Sequence, residues 1–117
     1  MNDTLDRARL DAFVDDVGDL TFAAETVQTY LSTLDRRVAA LTAALGSGDH
    51  HHVVVEAHTL KSTSALLGAT ALADLCGDLE RASAPAAGDG TVLRLTEIAG
   101  DTRRELAGWL TERSPGR

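Results

Sequence analysis

The sequence places a histidine and a lysine three positions apart in a segment that is otherwise poor in charge. His58 and Lys61 lie in AHTLKSTSALLGA, residues 57–69, where the other side chains are small, apolar or hydroxylated. A neutral imidazole is a good nucleophile at pH 7, because its ordinary pKa of about 6.5 leaves most molecules deprotonated. An ammonium group one helical turn away can offset the negative charge of a phosphoryl group on that imidazole. The pair therefore suits a residue that accepts a phosphoryl group and later releases it.

The helical period predicts that this histidine points into water. Apolar and small residues recur with spacings of three and four along the segment, and they define the side of a helix that faces a core: Val53, Ala57, Leu60, Ser64 and Leu67. His58 falls roughly opposite the centre of that side. The imidazole should therefore be exposed.

The surface around His58 is predicted to dock another protein. Between Val53 and Ala73 the only residues with a firm charge are Glu56 and Lys61. A face of low charge and partly apolar character is typical of a docking site. Ser62 is a small neighbour that leaves room for a phosphoryl group. The residues predicted to contact the partner are His51, Val54, Val55, Ala65 and Leu66.

A short helix and a long helix are predicted before this segment. The short one has Thr4 as a possible N-cap, an apolar side that includes Leu10 and Phe13, and Gly18 as its stop. Asp19 or Thr21 can then cap the long helix. Its apolar stripe is unbroken: Leu20, Ala24, Val27, Leu31, Leu34, Val38, Leu41 and Leu45.

Three further helices complete the prediction. Asp49 is placed to cap the helix that carries His58, and Gly68 suits the left-handed conformation that ends such a helix. The next helix ends by residue 84, and APAAGDG, residues 84–90, should form a loop. The apolar side of that helix is formed by Leu72, Leu75, Cys76 and Leu79. The apolar side of the last helix is formed by Leu95, Ile98, Ala99, Thr102, Leu106 and Trp109. The tail SPGR should fray.

This pattern predicts an all-α fold, an antiparallel four-helix bundle with a short additional N-terminal helix, in one domain over residues 1–117. Its core should be mainly aliphatic, since aromatic residues make up only 3% of the chain.

Composition excludes several classes of function. The formal net charge of −7 and the absence of a basic cluster argue against a nucleic-acid partner. The charged start shows no secretory signal, and no segment is apolar enough to insert into a membrane, so a cytoplasmic location is expected. Cys76 is expected to be a small core residue in a reducing compartment.

Metal binding and hydrolytic chemistry fit the pattern poorly. The triplet His50-His51-His52 points in three directions on a helix, and only His51 shares a face with His58, two turns away. No motif ties Ser, His and Asp into a hydrolase arrangement. No metal and no cofactor are therefore predicted for this chain.

The segment AHTLKSTSALLGATALADLCGDLE resembles the signature of histidine-containing phosphotransfer (HPt) domains of bacterial two-component phosphorelays. The similarity covers His58 and Lys61, together with Leu60, Ser64, Gly68, Ala69, Leu72, Cys76, Leu79 and Glu80. The turns FVDDVGD and GSGD extend it to most of the chain. One position departs from the family, which commonly has Gly where this chain has Ser62. The hydroxyl could bond a phosphoryl group or the helix carbonyl of His58.

The resemblance implies a function and its partners. His58 would accept a phosphoryl group from the aspartyl-phosphate of a response-regulator receiver domain and pass it to another receiver, with Lys61 as electrostatic support. The partners would be receiver domains and a sensor or hybrid histidine kinase, and the magnesium ion would belong to the receiver. The chain would be a carrier rather than an enzyme, monomeric, and its initiator Met favours a free-standing protein.

An alternative needs no phosphoryl chemistry. A helical adaptor or dimerisation module could use the apolar face around His58 only to bind a partner. Acid-labile phosphate on the protein separates the two hypotheses.

Overall fold

The structure, a computed structural model, describes residues 4–82 and 89–113, without the side chains of residues 89 and 113. Five helices follow one another: α1 (Arg7–Val17), α2 (Leu20–Ser47), α3 (His50–Leu66), α4 (Thr70–Arg81) and α5 (Asp89–Arg113). No strand occurs within these described ranges. The all-α prediction is confirmed.

Aspartates cap the first three helices. The side chains of Asp6, Asp19 and Asp49 accept hydrogen bonds from backbone N–H groups in the first turns of α1, α2 and α3. Such caps satisfy donors that the helix itself leaves without partners. The predictions for Asp19 and Asp49 are confirmed, whereas Thr4 as the cap of α1 was wrong, because Asp6 lies next to the first helical residue and accepts from Arg9 N–H at 3.2 Å.

The turn between α3 and α4 packs against the start of α1. Gly68 has the left-handed backbone predicted for it, with φ of 79°. A Cβ atom at this position would lie 2.5 Å from the carbonyl oxygen of Asp6. The backbone N–H of Asp6 also donates to the carbonyl of Gly68 at 2.7 Å. Gly68 therefore joins the short first helix to the hairpin of α3 and α4.

Helices α2 to α5 form the four-helix bundle, and α1 packs across α2 and α3. Around the bundle, α2 contacts α3 and α5, and α4 contacts α3 and α5. The core between them is mainly aliphatic, as predicted, with leucines from all five helices and the fully buried ring of Trp109. The buried surface of this core is the main source of stability.

The long helix turns a slightly different side to the core than its apolar stripe predicts. Leu20 is 42% exposed, whereas Ala23 and Tyr30 are buried. Leu20 lies in the first turn of α2, at the end of the bundle, where fewer neighbours can cover it. The buried hydroxyl of Tyr30 shares a 2.7 Å hydrogen bond with the hydroxyl of Ser64 on α3, which offsets the cost of burying both groups.

The predicted loop over residues 84–90 is shorter than expected. Asp89 and Gly90 already belong to α5, so their assignment to the loop was wrong; the remainder of that loop and the predicted fraying of residues 114–117 lie outside the described residues. In the part of the chain that is described, no helix combines the length and the apolar character needed to cross a membrane.

Candidate functional site

The imidazole of His58 stands on the outer face of α3. Its side chain is 62% exposed, while the four residues predicted to face the core within α3, namely Val53, Ala57, Leu60 and Ser64, are all buried. Leu67, just beyond the helix, is also buried. The structure thus presents His58 to solvent on a helix whose opposite side is fixed in the core.

Glu80 orients the ring of His58. Its Oε2 lies 2.8 Å from Nδ1 of His58, across the α3–α4 hairpin. The Lys61 ammonium, and to a smaller extent His58, hold the pKa of the Glu80 carboxyl below its ordinary value, against the opposing effect of burial. Because an ionised carboxylate only accepts hydrogen bonds, the proton between the two groups belongs on Nδ1. In the neutral ring the lone pair is then on Nε2.

Lys61 contacts the same carboxylate. Its Nζ lies 2.5 Å from Oε1 of Glu80, and its side chain is 36% exposed. His58 and Lys61 are therefore linked through one acidic group, each to its own oxygen. Lys61 is one helical turn from His58, as predicted, and its ammonium forms an ion pair with Glu80.

The hydroxyl of Ser62 takes one of the two roles that the sequence left open. It donates to the backbone carbonyl of His58 at 3.1 Å, which is the bond back to its own helix. The side chain remains exposed on the same face as the imidazole.

The predicted docking residues lie at the surface around His58. Val55 and Leu66 are among the most exposed large apolar side chains, at 45% and 52%. His51 is exposed as well, and Val54 and Ala65 are half-buried.

Helix α1 adds a groove that the sequence did not predict. Ala65 and Leu66 line it together with Phe13 and Val17 of α1, and it encloses about 390 Å³. The exposed face around His58 therefore continues onto α1, where Arg9 and Asp16 also line the groove.

Glu80 is the site residue that sequence reasoning missed as a functional group. It belonged to the family-like pattern, but no role was assigned to it. It lies 22 residues from His58, on the far side of the turn at Gly68. In an antiparallel hairpin of helices, residues at similar distances from the turn lie opposite each other, and this spacing could have identified Glu80.

Cys76 and the histidine triplet are the other residues that the sequence analysis considered for chemistry. Cys76 is fully buried, and burial, followed by the nearby charge of Glu80, raises the pKa of its thiol to about 12. This agrees with the predicted core role. Among the described residues no group of His, Cys, Asp and Glu side chains is arranged to hold a metal ion, and His52 instead contacts Glu56 at 3.3 Å.

The helical bundle, with His58 exposed on α3, can be compared with known proteins. The family model described as "Hpt domain" matches residues 25–108. The chain therefore belongs to the Hpt domain family, and it is a histidine phosphotransfer protein of phosphorelays.

Two solved structures have the same fold. The HPT domain of a sensor hybrid histidine kinase from Shewanella superimposes with a TM-score of 0.76 at 21% identity, over 95% of this chain and 97% of that one. Histidine-containing phosphotransfer protein B from Pseudomonas aeruginosa PAO1 gives a TM-score of 0.80 at 21% identity, over 97% and 100% of the two chains. No curated protein sequence matches the chain significantly.

Proposed function

We propose that His58 is the residue that carries the phosphoryl group, and that Nε2 is the atom that receives it. The observation that carries this proposal is the 2.8 Å contact between Nδ1 and Glu80 on a ring that is 62% exposed. Glu80 holds the proton on Nδ1, so the nucleophilic lone pair is on the other ring nitrogen. A receiver domain can approach that nitrogen from solvent.

The transfer step is a displacement at phosphorus. The Nε2 lone pair forms a bond to the phosphorus of an aspartyl-phosphate on a receiver, and the bond between phosphorus and the aspartate oxygen breaks. The aspartate leaves as a carboxylate, and no external proton is needed. The ring, which keeps the proton on Nδ1, becomes positively charged. Transfer to a second receiver reverses these bond changes.

Glu80 and Lys61 stabilise opposite charges in this step. The carboxylate of Glu80, already hydrogen-bonded to Nδ1, stabilises the positive ring that forms when phosphorus is bound. Lys61 keeps that carboxylate ionised and in place through its 2.5 Å contact. Because Lys61 is one helical turn from His58, its ammonium would also offset negative charge on a phosphoryl group bound there. Ser62 remains the small neighbour that limits crowding.

The partners follow from this chemistry. Receiver domains donate and accept the phosphoryl group, and a sensor or hybrid histidine kinase supplies it upstream. The proposed docking surface around His58 is formed by His51 and four apolar residues: Val54, Val55, Ala65 and Leu66. The chain acts in the cytoplasm as a carrier and not as an autonomous kinase. It needs no cofactor of its own, since the magnesium ion belongs to the receiver.

The test is transfer from a radiolabelled phosphorylated receiver. The wild-type chain should gain acid-labile, base-stable phosphate, and His58→Gln should gain none. His52→Gln is the matched control, because His52 is an exposed histidine of the same helix whose ring contacts Glu56 at 3.3 Å. Phosphate that persists in His58→Gln contradicts the assignment. Receiver binding with no transfer in the wild type favours the adaptor alternative.

A further inference from the structure

The side chain of Lys61 passes Gly77 of helix α4 on its way to Glu80. The lysine belongs to α3, and its Nζ contacts the carboxylate at 2.5 Å. Gly77 lies on α4 one turn before Glu80, and it is buried although it has no side chain. The atoms that surround this glycine determine whether the lysine can take its path.

Two long cationic side chains lie over Gly77. A Cβ atom built there would be 3.6 Å from Cδ of Lys61 and 3.2 Å from Nη1 of Arg81. Arg81 is held beside the glycine by Asp78, with 2.6 Å between Nη2 and Oδ1. The aliphatic part of Lys61 thus passes next to the position that a side chain at residue 77 would occupy.

We propose that Gly77 is a positioning residue for phosphotransfer: the absence of side-chain atoms beyond the Cβ position there keeps open the path by which Lys61 reaches Glu80, and Glu80 in turn orients His58. The consequence for the transfer rate rests on the proposed function. The effect of residue 77 on the contact between Lys61 and Glu80 is independent of the proposed function.

The size of the side chain at residue 77 decides the effect. Alanine adds only the Cβ atom, which meets Lys61 at an ordinary van der Waals distance and Arg81 at the mobile end of a largely exposed side chain. Valine adds two carbons beyond Cβ, close to both Lys61 and Arg81. Arg81 is largely exposed and can move into water, whereas we expect a displaced Lys61 to lose its 2.5 Å contact with Glu80.

The experiment compares the wild type with Gly77→Ala, Gly77→Val and Lys61→Ala. The first readout is the pKa of the Glu80 carboxyl, followed by ¹³C NMR, because the hydrogen bond from Lys61 is the largest cause of its lowering. Gly77→Ala should leave that pKa unchanged. Gly77→Val should raise it toward the value in Lys61→Ala, since the same ammonium has been lost from the carboxylate.

The second readout is the single-turnover rate of transfer from a phosphorylated receiver. Gly77→Val should slow transfer as much as Lys61→Ala does. The double variant should be no slower than either single variant, because both substitutions remove the same contact between Lys61 and Glu80. Gly77→Ala should transfer at the wild-type rate.

A Gly77→Val protein with the wild-type Glu80 pKa and the wild-type rate overturns the inference, and so does a double variant slowed by the product of the two single effects. Circular dichroism establishes that the variants fold. If Gly77→Val does not, Gly77→Leu, which favours the helix, takes its place in both readouts. A wild type that accepts no phosphoryl group refutes the proposed function, and the Glu80 titration then still tests Gly77.

Discussion

Replacing Gly68 by alanine tests how the site hairpin is attached to the rest of the bundle. The glycine has φ of 79°, and a Cβ atom there would meet the carbonyl oxygen of Asp6 at 2.5 Å and the backbone nitrogen of Leu10 at 3.2 Å. Both neighbours are backbone atoms, so neither can move away without shifting α1. We therefore expect Gly68→Ala to strain the turn and to loosen α1 together.

The magnitude follows from these two effects. A left-handed backbone costs a residue with a Cβ atom roughly 1–2 kcal/mol. Displacement of α1 weakens the 2.7 Å hydrogen bond from Asp6 to Gly68, and such a bond contributes about 1 kcal/mol. The free energy of unfolding should fall by about 2–3 kcal/mol, which lowers Tm by about 10 °C in a domain of this size.

Gly48→Ala is the matched control for this measurement. Gly48 has nearly the same backbone, with φ of 75°, and no atom within 4 Å of the added Cβ. The free energy of unfolding of Gly48→Ala should fall only by the cost of the left-handed backbone, roughly 1–2 kcal/mol. Urea denaturation of both variants gives the difference directly. Equal losses in Gly68→Ala and Gly48→Ala would refute the argument that the turn is clamped against α1.

Three further predictions concern the site and its support. Lys61→Ala should slow transfer about tenfold, the factor that corresponds to about 1.4 kcal/mol in the barrier, and should weaken receiver binding less; unchanged single-turnover rates would count against the role of Lys61. Tyr30→Phe should lower the free energy of unfolding by about 1 kcal/mol, because it leaves the buried Ser64 hydroxyl without the partner on α2. A free energy of unfolding equal to that of the wild type, measured by urea denaturation, would contradict this. The pKa of Glu80 is lower in the folded protein than its ordinary value, so its contribution to stability is present above about pH 4.3 and is lost as the pH falls through the folded-state pKa. Urea denaturation from pH 6 to pH 3 should show this loss, and Glu80→Gln should show less of it; the same pH dependence in both proteins would be the contrary result.

The parts of the fold that depend on local pattern were predictable. Spacings of three and four located the helices, and the short polar side chains of Asp19 and Asp49 marked two helix starts because they can accept from the first backbone N–H groups. The side of α2 that faces the core differs from the predicted stripe, since Ala23 and Tyr30 are buried and Leu20 is exposed. The buried hydroxyl of Tyr30 has its hydrogen-bond partner in Ser64, 34 residues away, and a periodic pattern carries no information about such a partner.

The site was predictable where it depends on a single helix. The exposure of His58 and its distance of one turn from Lys61 follow from the helical period. The role of Glu80 depends instead on how α3 and α4 pair, and that register is set by the turn at Gly68 and by core packing. For the same reason the proximity of Gly77 to Lys61 could not be read from either helix alone.

The atom that carries phosphorus is the most direct test of the account. The ¹⁵N-labelled chain, phosphorylated by a phosphorylated receiver and observed by ¹⁵N and ³¹P NMR, should show phosphorus bound to Nε2 of His58 while Nδ1 keeps its proton. This is the arrangement that the Glu80 hydrogen bond imposes. Phosphorus on Nδ1, or on any other residue, would contradict it.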